Sequence, residues 1–357
     1  MNNHFYKVIY VVIVVSVSFM GCSKEISTEL EYKVIKEFTL DDETQEHLHR
    51  MYTSVSSSPS NDELAFTNYA SPISVVLTNY NGQFVESIGK EGRGPDEIQS
   101  ARYLGFDDNN DLIILDKTGA FFKQYNRNTN EVHSYDYPIK DGISVTTRNL
   151  QMCNGKWYLG IQLLGEDTHT TVPIIGVYDL EFKLVDTLGG YDPYFKGRSG
   201  ILQEPLTSID CTNGIIYTTH GKLPYVQAYS IETKSLVGNS DEIPTSFMLS
   251  DKFITMVSSQ RQMTRFLSEE QSTSIHLGND DSNIYHVYRN ETNKLDRVRN
   301  LNDSDHYVAV YEKENLKLLG EVKLPGAVLG FTKEGTLIVL KDERNMIIQF
   351  LKINHRL

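Results

Sequence analysis

Only three cysteines and one tryptophan occur among the 357 residues. No CxxC pair and no zinc-type Cys/His spacing is present, which removes zinc fingers and thioredoxin-like redox motifs from consideration. Basic runs are missing as well: 34 Lys and Arg stand against 47 Asp and Glu, a formal net charge of −13. An acidic chain without a basic run is a poor candidate for binding nucleic acid or anionic lipid through charge, so nucleic acid is set aside as a partner. There is no G-x-S-x-G elbow, no HExxH and no paired-carboxylate signature, and the ten histidines are scattered without a distinctive context. Classical hydrolase and triad chemistries therefore have no support. Long amphipathic helical windows are absent too. What the chain has instead is 21 Tyr and 15 Phe, a composition that suits strands.

The one extended apolar run is Val8 to Met20, after a short positive start at Lys7. It falls short of the roughly 20 residues that cross a bilayer and has the length of a signal-peptide core. The run ends in Phe19-Met20-Gly21-Cys22, and a small residue followed by Cys at that point resembles the lipobox of bacterial lipoproteins. Phe19 and Met20 depart from the usual Leu and small residue. The resemblance implies cleavage before Cys22, a diacylglyceryl group on its thiol and an acylated new terminus. Two or three acyl chains make a stable anchor, where one binds only marginally. The expected organisation is a signal peptide over 1–21, a lipidated Cys22 with a tether over 22–30, and a globular part over 31–357.

A pattern then recurs: a β-rich run, a tight Asn/Asp/Gly turn, a second run and a third. The second runs are ELAFTNY (63–69), DLIILD (111–116), KWYLGI (156–161), GIIYTTH (214–220), NIYHVY (283–288) and GTLIVLK (335–341). Third runs follow as ISVVLTNYN, AFFKQYN, IIGVYDL, YVQAYSI, HYVAVYE and MIIQFLK. Each alternates or runs apolar for four to seven residues, the strand signature. Turn markers at Asn61, Asn109, Asn154, Asn213, Asp281 and Gly335 are spaced by 48, 45, 59, 68 and 54 residues. Such spacings suit four-stranded blades with some longer loops. The fold class is all-β, a six-bladed β-propeller; a β-sandwich or two small β domains are the alternatives. The last unit stops after its third strand, so EYKVIKEFTL (31–40) is expected to pair with it and close the ring, removing open edges. Cys153 and Cys211 lie beside equivalent turns of adjacent units. Blades are expected to hold them beyond the roughly 4.4–6.8 Å Cα separation of a disulfide, leaving two inert thiols.

The stretch IGKEGRGPDEIQSARYLGFDDNNDLIILDKTGAFFKQYN (88–126) resembles an NHL repeat through Gly89, Gly92, Gly94, Ile98, Asp107, Ile113, Ile114, Asp116 and Phe122. Ala101 stands where that family often has Pro, and Asn110-Asp111 replace its Asp-Gly turn. The other five units share the rhythm more than the letters. The whole chain is similar to TolB-like or NHL-like six-bladed propeller lipoproteins of Bacteroidetes, in which a G-x-G-P-x-E loop follows the first blade, as Gly92 to Glu97 do here. The resemblance implies a fold and an address, with no agreed activity. The same stretch lacks the Gly-Lys-Ser/Thr ending and following helix of a phosphate loop. Asp107, Asn109 and Asp111 alternate as calcium ligands do, but Leu112 and Thr118 stand where an EF-hand wants Gly and Glu. A blade-to-blade crossing and the next hairpin explain it better.

In a propeller, outer-to-inner crossings and second-to-third-strand loops meet on one face around the channel, and loops on a rigid frame carry chemistry. The crossing brings Arg93, Asp96 and Glu97. Aligned second strands bring Tyr69, Asp116, Ile161, His220, Tyr288 and Lys341 to one equivalent position, and five of those six can hydrogen-bond. His286, alone in a predicted strand, reads as a packed or solvated residue rather than a ligand. The segment 246–271 lengthens one connection; its Phe, Met and Leu residues suit a cover on the rim, and Arg261 and Arg265 would share a helical face. Two functions follow. The first is a non-catalytic lipoprotein whose propeller face binds a protein, peptide or glycan, with no cofactor. The second is a metal-dependent propeller hydrolase, lactonase or lyase with a divalent cation such as calcium in the channel, for which Asp116, His220 and Asp210 are the candidates. Either would sit in the outer membrane, facing the periplasm or the cell surface, because Ser23-Lys24-Glu25 only faintly resembles a surface-export tag.

Overall fold

Six antiparallel sheets arranged as a six-bladed β-propeller emerge from a computed structural model that describes residues 30–48, 51–60, 62–68, 71–101, 103–116, 118–137, 143–145, 150–163, 173–192, 205–249, 271–291 and 304–355. The segment expected as a signal peptide, Cys22, Tyr69, Arg261 and Arg265 lie outside the described residues. Among the described residues no helix is long and apolar enough to cross a membrane.

Blade I runs outward from Met51–Ser57 through Glu63–Asn68 and Ser74–Asn79 to Phe84–Ile88. Blade II follows as Tyr103–Phe106, Leu112–Asp116, Phe121–Tyr125 and Val132–Asp136. In blade III the innermost strand comes in two pieces, Ile143–Val145 and Gln151–Cys153, both paired to Lys156–Leu163. Ile175–Tyr178 and Leu184–Leu188 complete it. Blade IV is Pro205–Asp210, Ile215–His220, Gln227–Ser230 and Leu236–Asn239. Blade V is Gln271–Asn279, Asn283–Glu291, Asp305–Glu312 and Leu318–Lys323. Every run expected as a second or third strand occupies that place.

Blade VI closes the ring. Its inner strands are Ala327–Phe331, Leu337–Asp342 and Ile347–His355, and its outermost strand is Leu30–Thr39 from the other end of the chain. The register runs from Leu30 opposite His355 to Thr39 opposite Ile347, with a bulge between Val34 and Lys36. A six-residue helix, Asp42–His47, then leads towards blade I, capped by Asp41, whose carboxylate accepts from the Thr44 amide at 2.9 Å.

The apolar pattern is explained by where the core sits. Six clusters fill the six gaps between neighbouring blades. In blade I, Leu64 and Phe66 pack against blade VI, while Ala65 between them packs against blade II. A strand buried on both faces reads as a continuous apolar run, and the alternation shows only in which neighbour each residue meets. The ring is widest at its rim and tightest at its axis. Near the axis a Cβ on Gly105 would fall 2.6 Å from the Leu150 carbonyl oxygen, and one on Gly278 would fall 2.7 Å from the Phe331 ring. Only glycine fits where neighbouring inner strands approach that closely.

The same convergence overturns the expectation for the cysteines. Cys153 and Cys211 form a disulfide between blades III and IV, with Cα atoms 5.6 Å apart. Cys153 ends an innermost strand of blade III and Cys211 begins the turn after that of blade IV, where adjacent blades come closest. The wider spacing assumed for blades applies farther from the axis.

Candidate functional site

The crossing Gly89 to Ser100 is held by its own blade. Lys90–Glu91 pairs in parallel with Glu97–Ile98. The Glu97 side chain turns back and accepts from the Gly94 amide at 2.7 Å, filling the space in which a side chain on Gly92 would stand. Buried Lys123, on the third strand of blade II, donates to the carbonyls of Pro95 at 2.7 Å, Gly94 at 3.3 Å and Glu97. Burial draws its pKa down, against the opposing fields of Asp116, Asp96 and Glu97. Asp116 accepts from the amides of Gln99, Ser100 and Gly119 at 2.8, 3.0 and 2.9 Å and from the Ser100 hydroxyl at 3.1 Å. The glycine-rich loop is thus knotted to the end of a second strand, with the Glu97 carboxylate and three of its carbonyls used internally.

Asp107 has a comparable structural task. Its Oδ1 accepts from the amides of Asn109 and Asp111, both at 2.9 Å, and Asn110 takes a left-handed φ of 67° between them. Burial lifts the Asp107 pKa above the ordinary carboxylate value, the two amides pull it down, and Asp111 and Asp108 push it up. These acids build a hairpin turn.

The remaining candidates, Arg93 and Asp96 apart, are each engaged locally. Arg93 and Asp96 stay exposed on the crossing. His220 is buried with its ring 5.6 Å from that of Tyr191. Tyr288 is buried, stacks on Tyr307 and donates to Glu321 at 2.6 Å; burial and the neighbouring Glu321 carboxylate push its pKa far up. Lys341 lies at the rim and binds Glu37 of the closing strand at 2.9 Å. His286 is fully buried, 2.7 Å from the Ser274 hydroxyl, and burial takes its pKa down to about 3. Of the 246–271 connection, Phe247 is buried between blades IV and V.

The metal trio does not assemble. Asp210 ends the first strand of blade IV, and His220 ends the second; in the pairing, Asp210 faces Ile215 while Pro205 faces His220. Five residues of strand separate the two, roughly 16 Å. Burial works against the Asp210 charge, yet hydrogen bonds from Lys313 at 2.7 Å and from the side chain and amide of Asn213 hold its pKa below the ordinary value. Among the described residues no three His, Cys, Asp or Glu side chains gather as metal ligands.

A funnel of about 570 Å³ opens at the opposite end of the channel, at the turns between first and second strands. All six blades line it. Val55, Leu104, Leu150 and Leu277 supply apolar walls, and Phe106 and Phe331 supply rings. Polar groups come from Ser56, Ser57, Gln151, Ser208, Asn279 and Thr332, with Asp108 and Lys333 as exposed charges of opposite sign. Asn279 donates to the Ser208 hydroxyl at 2.6 Å and to the Ile209 carbonyl at 3.2 Å, tying blade V to blade IV. The disulfide sits in the wall beside them. Gln151 Oε1 is buried and accepts no hydrogen bond among the described residues. Buried acceptors are normally satisfied, so this oxygen wants a donor, and a turn of the Gln151 side chain into the funnel that it lines would offer it to a ligand or a water. The sequence gives no linear motif for the funnel; its only trace is the recurrence of small polar residues beside the first turns.

No family model and no curated protein sequence matches the chain. Solved structures do. A member of the DUF4221 family from Bacteroides vulgatus superposes with a TM-score of 0.66 at 14% identity, covering 92% of this chain and 100% of that one. A Bacteroides fragilis protein, provisionally described as exported, gives a TM-score of 0.58 at 13% identity over 93% and 97% of the two chains. The likeness is one of fold.

Proposed function

We propose that this chain is an exported, lipid-anchored binding protein, kin to the NHL-like and TolB-like propellers, which takes a neutral polar ligand into the funnel at its first turns. The observation that carries the reading is the funnel itself: six blades converge on one cavity, within the usual size range of ligand sites, whose apolar walls bear a few directed polar groups. The Gln151 amide lines the funnel, and its Oε1 has no partner among the described residues and can turn to a ligand, while the Phe106 and Phe331 rings suit the apolar faces of a sugar or of a peptide side chain. Its two charged residues are opposite in sign, which favours a ligand of little net charge. Export is supported by the N-terminal segment and by the description of the B. fragilis neighbour. Anchoring through Cys22 and outer-membrane placement, towards the periplasm or the cell surface, remain part of the proposal.

The test is calorimetric titration with a panel of neutral oligosaccharides and short uncharged peptides, followed by Phe331→Ala and Gln151→Leu. A binder found in the panel should lose at least about tenfold in affinity in each variant, the worth of one well-placed contact. Unchanged affinity in both would refute the funnel. Weakening by Arg93→Ala or Asp96→Ala instead would return the site to the crossing face.

A further inference from the structure

Eight chain steps separate Cys22 from Leu30, where the outermost strand of blade VI begins. Fully extended, such a length spans at most about 26–29 Å. If acylated Cys22 is the anchor, the premise on which this inference rests, the start of that strand is held within the same distance of the headgroups. It is also built unlike an inert edge. Tyr32, Val34 and Ile35 are 37%, 40% and 51% exposed, and Ile35 is the extra residue of the bulge. Lys33 stands directly opposite Lys352 on the neighbouring strand. Like charges so placed weaken a sheet, and neither lysine makes an ion pair among the described residues. Glu37, farther along, is already paired with Lys341; Glu31 is the other acid on the strand.

We propose that this rim rests on an anionic lipid surface, with Tyr32, Val34 and Ile35 in the headgroup layer and Lys33 and Lys352 on lipid phosphates. The chain as a whole is acidic, so the contact is local: aromatic and aliphatic side chains settle in the interfacial layer, and each lysine that the tether holds at an anionic leaflet adds attraction that salt weakens. The lysine pair that strains the sheet in water then gains a common counter-charge. The propeller stands edge-on, and its funnel opens along the membrane, where a soluble ligand can enter. A second apolar rim, Leu236 and Val237 of blade IV, is 50% and 55% exposed but has no tether beside it.

Two measurements on phosphatidylethanolamine vesicles containing phosphatidylglycerol test this. In the first, hydrogen exchange of the mature acylated protein is compared between vesicles and detergent micelles. Slower exchange on vesicles at 30–39 and 347–355, with the turns at 107–111 and 211–214 unchanged, is the expected result. Protection at 236–239 or at those turns, or none at the rim, overturns the proposal. In the second, partition of the mature Cys22→Ala chain is measured at low salt. Lys33→Glu with Lys352→Glu should reduce it by roughly thirtyfold or more, and Ile35→Asp should reduce it too. No partition, or equal partition of wild type and variants, would likewise sink the rim contact. The anchor is judged separately by the mass of the N-terminal peptide: rim partition without an acyl mass refutes Cys22 alone, and an acyl mass with an unprotected rim refutes the orientation alone.

Discussion

Breaking the bridge between Cys153 and Cys211 should cost the fold more than any single side-chain contact. The two positions are separated by 58 residues. Closing a loop of that length in the unfolded chain removes entropy worth about 4 kcal/mol in the chain-entropy account. The unfolding entropy of a cooperative unit of this size is near 0.7 kcal/mol per degree, so the melting temperature should fall by about 6 °C. Reduction should proceed asymmetrically. Cys211 is exposed, while Cys153 is 2% exposed and packed among Tyr158, Ile175 and Leu188. The assay is a calorimetric scan of the oxidised protein, the protein treated with a phosphine reductant, and the double variant Cys153→Ala, Cys211→Ser. Reduction should lower the first curve onto the third and leave the third unmoved. Alkylation after reduction should label Cys211 before Cys153. Equal melting of oxidised and reduced protein would refute the reasoning, as would two titratable thiols at these positions in the untreated chain.

His286 makes acid sensitivity predictable. Its folded pKa lies near 3, below the unfolded value of 6.5, so the unfolded chain binds the extra proton between those values. Its contribution is complete above pH 6.5 and lost as pH falls, by about 1.4 kcal/mol per unit and near 2 kcal/mol by pH 5; His286→Gln should flatten the fall in melting temperature between pH 7 and 5 relative to wild type, and an unchanged slope would assign the loss to other groups. Asp116→Ala releases two amides and a hydroxyl of the crossing and the Gly119 amide of the following turn and should destabilise by roughly 3 kcal/mol, with faster amide exchange at Gln99 and Ser100. Were Asp116 a metal ligand instead, wild-type stability would fall on chelation, which a melt with and without chelator reads directly.

The strand plan was legible because each blade is buried on both faces, so second and third strands appear as runs such as Leu112 to Leu115 bounded by turn residues. Even ring closure could be read, from a last unit one strand short and a strand-like run left over at Glu31 to Leu40. Radial distance could not. Sequence spacing reports the period of a ring but not the separation of two turns at its axis, which is why the cysteines pair against expectation. Lys123 was missed for a related reason. It sits between Phe122 and Gln124 on a third strand, opposite Ile114, where a lysine reads as solvated. The crossing laid over it supplies three carbonyls and makes it a clamp. A cation in register with an apolar partner, beside a glycine-rich loop rich in carbonyls, is the signal that could have found it. Asp116 shows the converse case. Its oxygens suggested a metal, but a carboxylate at a strand end, one turn from exposed amides, satisfies those amides first. The groups left for a ligand are then the small polar residues of the first turns, which a sequence reading treats as turn formers. Only the convergence of six turns gives Ser208, Asn279 and Gln151 a common cavity to face.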